Sequence, residues 1–248
     1  MQANDPVRFS LIIPAHNEEE LLPRLLETVE IARRRYHRGP EAVEVIVADN
    51  ASTDGTAEVA RDRECAVAPV TKRRIAAARN GGARIARGSV LCFVDADQRI
   101  HAETFNAIDD VLDSGRVIAG ATGVRLERWS LGIAVTYAVL IPWVIALRMD
   151  TGVTFCTATD FHAIGGYNEA RFFGEDVEFL WTLKRLGWRR GQRLARVTSA
   201  KAISSTRKFD RHGEWHYFTM LFRMLPAMFR SPEFFSETVR RYWYDDDH

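Results

Sequence analysis

SVLCFVDADQ, Ser89 to Gln98, carries an unbroken apolar run, Val90 to Val94, into two aspartates one residue apart. The apolar run reads as a buried strand. Aspartate is a poor strand residue and is costly to bury, so Asp95 and Asp97 at its end need a reason to be there. Side chains alternate along an extended chain, so the two carboxylates face one side if the backbone stays extended. Such a pair suits a hard Mg²⁺ or Mn²⁺ ion whose shell is completed by substrate phosphates. Two solvated turn residues are the alternative.

Working outward, the flanking sequence alternates strands and helices. Phe9 to Pro14 is a short apolar strand, and Leu22, Leu25, Leu26 and Val29 follow at helical spacing, with Pro23 suited to a first turn. Val43 to Ala48 is the next strand, followed by a loop and helix in which Ser52, Thr53 and Asp54 are candidate caps. Ala66 to Val70 is a weaker strand, Lys72 to Ala86 an alanine-rich basic helix, and Ser89 to Val94 the strand that presents Asp95. His101 to Leu112 reads as a helix and Arg116 to Gly123 as a strand and turn. The order is βαβαβαβαβ, an α/β fold with loops at the carboxyl ends of strands, where open sheets bind ligands. The second half is less regular: a helix from Glu175 to Leu186 closed by Gly187, then a strand within Trp188 to Val197.

The chain has 248 residues, 34 Lys plus Arg against 33 Asp plus Glu, and a formal net charge of +1, a balance that gives no support to a nucleic-acid partner. Cys65, Cys92 and Cys156 lack metal-ligand spacing, read as packed thiols and suit a reducing compartment. The N-terminus has no secretory pattern, so a cytoplasmic location, up to the inner face of the membrane, is expected. Leu131 to Leu147 is uncharged but short of the roughly 20 residues a span needs, and it contains Pro142. It reads as a buried helix, as an interfacial segment with Trp129 and Trp143 and with Arg128 and Arg148 outside the run, or as a true span. Phe218 to Arg230 is a second apolar and basic run open to core, partner or membrane contact.

The first strand-to-helix turn, PAHNEE, lacks the glycines that bring a pyrophosphate onto a helix terminus, and no P-loop lysine is present. A phosphate-bearing ligand therefore needs other neutralising groups.

SLIIPAHNEE, VIVADNASTDGT, ARNGGARIARG, FVDADQ and FGEDVEF occur in this order over about residues 8 to 190, and together they resemble family 2 glycosyltransferases of the GT-A type. The resemblance implies a nucleotide-diphospho-sugar transferase fold, a Rossmann-like mixed sheet flanked by helices, in a single domain. Residues 1–123 would bind the donor, and 124–248 would bind the acceptor and supply a C-terminal lid. It implies an inverting transfer of one sugar from a nucleotide-diphospho-sugar to an acceptor hydroxyl on a sugar, small molecule or lipid-linked carrier, with Mg²⁺ or Mn²⁺. Residue by residue, it puts Pro14, Ala15 and Glu18 around base and ribose, Asp49 on a base N–H, and Arg79 and Asn80 near the donor. Asp95 falls at the ribose or donor sugar and at the metal, and Asp97 at the metal. Asp176 becomes the base, with Glu175 beside it. Arg207 and Arg211 are candidates to close over the diphosphate, and His212 is a candidate third ligand.

The sequence departs from processive members, which carry a glutamine, arginine and tryptophan motif before membrane helices; here SSTRKFDRHGEW stands instead. That favours single-sugar transfer. A sugar nucleotidyltransferase and a noncatalytic nucleotide-binding regulatory module are the competing readings, and the retained Asp95, Asp97 and Asp176 set argues against the latter. Base, sugar, acceptor and oligomeric state are not specified.

Overall fold

The computed structural model describes residues 7–128, 149–171 and 174–206, with 130, 132, 134, 135 and 138. Ten strands and six α-helices have both ends among the described residues: β1 (Phe9–Ala15), α1 (Leu22–Arg35), β2 (Val43–Asp49), α2 (Thr56–Asp62), β3 (Ala66–Pro69), α3 (Ile75–Ile85), β4 (Val90–Phe93), β5 (Gln98–Arg99), α4 (Thr104–Asp113), β6 (Val117–Ala121), β7 (Val124–Leu126), β8 (Thr154–Thr157), α5 (Ala158–Ala163), α6 (Glu175–Arg189), β9 (Arg193–Arg196) and β10 (Ala202–Ser204).

Seven strands form one sheet in the order β3-β2-β1-β4-β8-β6-β9, and β5-β10-β7 form a small second sheet. All pairs of the large sheet are parallel except those of β8, which runs antiparallel to both β4 and β6. Alternation sorts the strand side chains onto two faces. Phe9, Leu11 and Ile13 of β1 meet Leu22 and Leu25 of α1 and Phe105 and Ile108 of α4 in one core. Ile12, Ile46 and Ala48 join Ala76 and Ala78 of α3 and Phe179 and Leu183 of α6 in the other. Each fully buried large side chain contributes about 1.5–3 kcal/mol, so both sheet faces are firmly held by helices.

Proline in the central strand β1 is tolerated because of where its missing N–H would point. Ile12 O accepts from Val94 N, so Ile12 and Pro14 both turn their backbone polar groups toward β4. The β1–β4 register ends at Ile12 opposite Phe93, so Pro14 stands beyond the last pair. The two strands part there, and a crevice begins.

Several expectations are corrected. The helix expected over 72–86 is α3 and starts only at Ile75, because Arg74 stays extended at φ −150° and ψ 134°. The helix after GED does not stop at Gly187 but continues to Arg189. Gly187 lies inside it, where a Cβ would come within 2.8 Å of Ile118 Cγ2, so the glycine serves close helix-to-sheet packing. The turn out of α6 uses Gly191 at φ +69°. Trp188 is accordingly helical, and the strand after it narrows to Arg193–Arg196.

Candidate active site

The sequence runs from β1 through α1 to β2 on one side, while β4 pairs with the other edge of β1. Crevices outside the carboxyl ends of strands at such a reversal are the ligand sites of open α/β sheets. Four segments meet around this one: the loops after β1, β2 and β4, and the N-terminus of α6.

The first two loops are laced together. Asn17 Oδ1 accepts from Thr53 N at 2.8 Å, Glu18 N donates to Thr56 Oγ1 at 2.8 Å, and Gly55 N donates to Glu19 Oε2 at 2.8 Å. Asp54 accepts from Glu19 N at 3.1 Å and from Thr56 N at 3.0 Å, which makes it a turn and helix-start residue. Burial opposes its charge, but the Thr56 hydroxyl, which also donates to Asp54 Oδ1, and these backbone N–H groups outweigh that and hold its pKa below the ordinary value. Asp49, at the end of β2, accepts from Ser52 N at 3.1 Å. Ala15 points its methyl into the core, leaving only backbone for a ligand. Arg73 donates to His16 Nε2 at 2.7 Å, so His16 Nδ1 carries the proton given to Asn50 O at 2.9 Å. Nothing in the sequence pattern singled out that pair.

The loop after β4 turns rather than extends. Gln98 N donates to Asp95 O at 3.1 Å, closing a turn over the DAD segment. The condition under which alternation would aim both aspartates one way is therefore not met, although both side chains remain half-buried with Ala96 buried between them.

Arg79 is the hub. Its side chain is 5% exposed, and its guanidinium donates from NH1 to Asp176 Oδ1 at 2.5 Å and Glu175 Oε1 at 3.3 Å, and from NH2 to Asp95 Oδ1 at 2.9 Å. One planar fork thus joins the ARN, DAD and GED segments, a geometry suited to arginine and not to lysine. Burial works against the arginine charge, but Asp176, Tyr167, Asp95 and Glu175 outweigh it and hold its pKa well above the ordinary value.

Among the described residues, three carboxylates contact this one guanidinium. Burial raises the pKa of Glu175, and the neighbouring Asp176 raises it further. For Asp176 burial is again the largest cause of an upward shift; Arg79 opposes it and Asp95 reinforces it. Asp176 keeps 35% side-chain exposure, so protein crowds the carboxylate while one side stays open to an incoming group. Gly174, at φ +70°, turns the chain so that both acids enter the first turn of α6, where the backbone amides favour negative charge.

A second tier supports the hub. Tyr167 stacks on Phe179 at 4.0 Å between ring centroids, and the Arg79 guanidinium carbon lies 5.1 Å from the Tyr167 centroid. Asn80 fixes the loop carrying Tyr167. Its Nδ2 donates to Tyr167 O at 2.9 Å and Glu169 Oε1 at 3.0 Å, and its Oδ1 accepts from Tyr167 N at 2.9 Å. Lys72 pairs with Glu169 at 2.7 Å and Arg74 donates to Glu169 O at 2.7 Å. These contacts give Asn80 a supporting place rather than one facing a ligand. Tyr167 carried no sequence signal, because its importance comes from a neighbour 88 positions away in the chain, Arg79.

A model of the family described as "Glycosyl transferase family 2" matches residues 10–134. The chain belongs to this family. The family 2 chain is 40% identical over 93 residues to the validoxylamine A glucosyltransferase of Streptomyces hygroscopicus subsp. limoneus, a match covering 35% of this chain and 20% of that protein. It therefore spans about a fifth of the length of that relative. Among solved structures, it superposes on a mannosyltransferase of Pyrobaculum calidifontis in complex with GDP-Man and Mn²⁺ with a TM-score of 0.62 and 20% identity, covering 96% of this chain and 69% of that one. It also superposes on S. aureus TarS in complex with UDP with a TM-score of 0.59 and 18% identity, over 80% of this chain and 60% of the other. These likenesses establish the GT-A fold, a central mixed sheet flanked by helices.

For this family 2 chain, Asp95, Glu175 and Asp176 converge on Arg79, while Pro14, Ala15, Glu18 and Asp49 lie along the neighbouring loops and strand ends. Arg207, Arg211 and His212 lie outside the described residues, as do Phe172, Phe173 and the 218–230 run. Among the described residues no group of three His, Cys, Asp or Glu side chains is arranged to hold a metal ion by itself. Among the described residues Asp95, Glu175 and Asp176 gather hard oxygen donors at one place, a chemistry that fits a divalent cation. No helix among the described residues is long and apolar enough to cross a membrane. A cavity of about 490 Å³ between α1 and the small sheet, lined by Thr28, Ile100, Arg125 and Ile203 among others, shares no residue with the Arg79 cluster and is not this site.

Proposed function

We propose that the protein is an inverting glycosyltransferase that moves a single sugar from a nucleotide-diphospho-sugar to an acceptor hydroxyl, with Mg²⁺ or Mn²⁺. The observation that carries this reading is the Arg79 fork holding Asp95, Glu175 and Asp176 together at the strand reversal. The named activities of the relatives, glucosyl and mannosyl transfer, and the UDP and GDP-Man held by the solved neighbours support a nucleotide-sugar donor.

The acceptor oxygen attacks the anomeric carbon as the bond from that carbon to the diphosphate breaks, and the hydroxyl proton passes to Asp176. Burial raises the Asp176 pKa and so makes it a better base than an ordinary aspartate. Arg79 fixes the carboxylate through one oxygen, and the partly open side chain admits the acceptor. A divalent ion held through Asp97 and Asp95 would neutralise the departing diphosphate. Asp49, at the end of β2, would accept a base N–H, and Pro14 and Ala15 would shape the floor beneath the base. Direct displacement needs one base and no covalent intermediate, a role that a partly open Asp176 carboxylate can fill.

Calorimetric titration with UDP, GDP, CDP and TDP, in Mn²⁺ and in chelator, tests the donor assignment. One nucleotide should bind with metal and lose binding in Asp97→Ala. Asp176→Asn should keep that binding and lose sugar transfer. Metal-independent binding equal in Asp97→Ala removes the ion from the mechanism, and undiminished turnover in Asp176→Asn removes the base.

A further inference from the structure

Helix α6 has a second face that the active site does not use. Its buried side is formed by Phe179, Leu180, Leu183 and Gly187. At about 100° per residue, Val177, Trp181, Lys184, Arg185 and Trp188 fall within another arc of roughly 100°, on which Val177, Arg185 and Trp188 are exposed while Trp181 and Lys184 are half-buried, Trp181 resting against the core. Val177 is 56% exposed and Trp188 60% exposed, unusual for residues that normally bury most of their apolar surface. Trp181 and Trp188 meet edge to face at 5.9 Å. Lys184 Nζ lies 5.3 Å and 5.6 Å from the two ring centroids, and the Arg185 guanidinium carbon lies 5.5 Å from that of Trp181. Arg185 and Arg189 are exposed, and Glu178, the nearest acid along the helix, is paired with Arg171 at 2.8 Å.

We infer that this outer face of α6 docks on an anionic lipid bilayer surface. Tryptophan is amphipathic, with an apolar ring body and one N–H donor, which suits the headgroup level of a membrane. Lysine and arginine beside it extend apolar stems under a charged head. Among the described residues Arg185 and Arg189 stand exposed on this side of the helix, and the acid that falls between them, Glu178, is paired with Arg171, so the charge of the face complements anionic headgroups. A second copy of this chain would bring like charges together across a two-fold axis. A carbohydrate stacking platform needs open ring faces, whereas here cations lie close to both rings. Docking would also orient the enzyme: Trp188 lies twelve residues along the helix from Asp176, about 18 Å at 1.5 Å per residue.

The experiment is co-sedimentation of the full chain with phosphatidylglycerol vesicles and, separately, phosphatidylcholine vesicles, together with tryptophan emission. Binding and a blue shift are expected with phosphatidylglycerol, reversed by salt. The double variant Arg185→Gln/Arg189→Gln should bind roughly 25-fold more weakly, about fivefold per cation removed. Trp188→Ser should lose most of the blue shift. Both variants should keep the parent's circular dichroism and thermal midpoint, since all three side chains are exposed. Absence of binding to phosphatidylglycerol overturns the inference. So does binding that both variants retain in full, which would put the contact elsewhere in the chain. Concentration-dependent dimerisation, or retention on a polysaccharide resin without vesicle binding, abolished by Trp188→Ser in either case, would assign the face to a different partner and overturn it too.

Discussion

Replacing Arg79 by lysine keeps the charge and removes the fork. NH1 serves Asp176 and Glu175 while NH2 serves Asp95, and one ammonium on a straight stem cannot reach both sides. At least one charge-assisted hydrogen bond is lost, each worth about 1.5–3 kcal/mol when well shielded. Asp95 is 39% and Asp176 35% exposed, so water screens part of that value. A destabilisation of about 2–3 kcal/mol is the working figure, equivalent to roughly 4–12 °C for a chain of this size. Urea unfolding at constant m-value measures it. Arg79→Met should cost more, about 3–5 kcal/mol, because it leaves carboxylates crowded with no cation. Its penalty should be greatest near neutral pH. Glu175 and Asp176 already have folded pKa values raised above their unfolded ones, so the folded state binds protons more readily. Their contribution to stability is present below the unfolded values of 4.5 and 3.8 and is lost as pH rises through the folded ones. Removing the arginine widens that gap. Arg79→Lys within about 0.5 kcal/mol of the parent, or strict additivity with Asp176→Asn in a double-mutant cycle, would refute the hub.

Asn80→Ala removes three hydrogen bonds to the loop carrying Tyr167 and should cost about 2–3 kcal/mol by urea unfolding, with a larger fall in kcat than rise in KM, because the loop supports Arg79. Gly82→Ala should cost about 1–3 kcal/mol in thermal unfolding, since its Cβ would stand 2.4 Å from Ile12 Cγ2 in the sheet centre. Asp109 on α4 is fully buried and held by Arg8 at 2.7 Å, Arg38 at 3.0 Å and the Tyr36 hydroxyl at 2.7 Å. Burial alone would raise its pKa, but the Tyr36 and Arg8 hydrogen bonds and the arginine charges pull it below 3.8, so its stabilisation exists above that value and is lost as pH falls through the folded one. Asp109→Asn should therefore cost about 3 kcal/mol at neutral pH and little in strong acid, read from urea midpoints across pH.

The first half of the fold was legible because its strands are buried on both faces and so appear as continuous apolar runs. Val43 to Ala48, for instance, misses β2 by one residue. Strand β8 was not, since TFCT is short and its place between β4 and β6 depends on residues far away in the chain. The β5-β10-β7 ladder escaped for the same reason, with strands of two and three residues. At the site, Asp95, Glu175, Asp176 and Arg79 were legible as motifs. That one guanidinium joins three motifs was not, because motif order carries no distances. Gly187 misled because a glycine near a helix end signals termination, whereas here it relieves a contact with Ile118.

Strand β8 also has a consequence for how the chain is made. As synthesis proceeds, β1, β2, β3 and β4 emerge in a row and can pair at once, but the outer edge of β4 waits about 60 residues for Thr154–Thr157. Until then a short row of unpaired amides and carbonyls, flanked by Leu91, Cys92 and Phe93, is available to any other extended segment. A fragment ending at the donor half would keep that edge open permanently and should self-associate, so the two halves are poor candidates for separate expression or swapping, and the chain's late antiparallel strand is what keeps the nascent sheet from templating another.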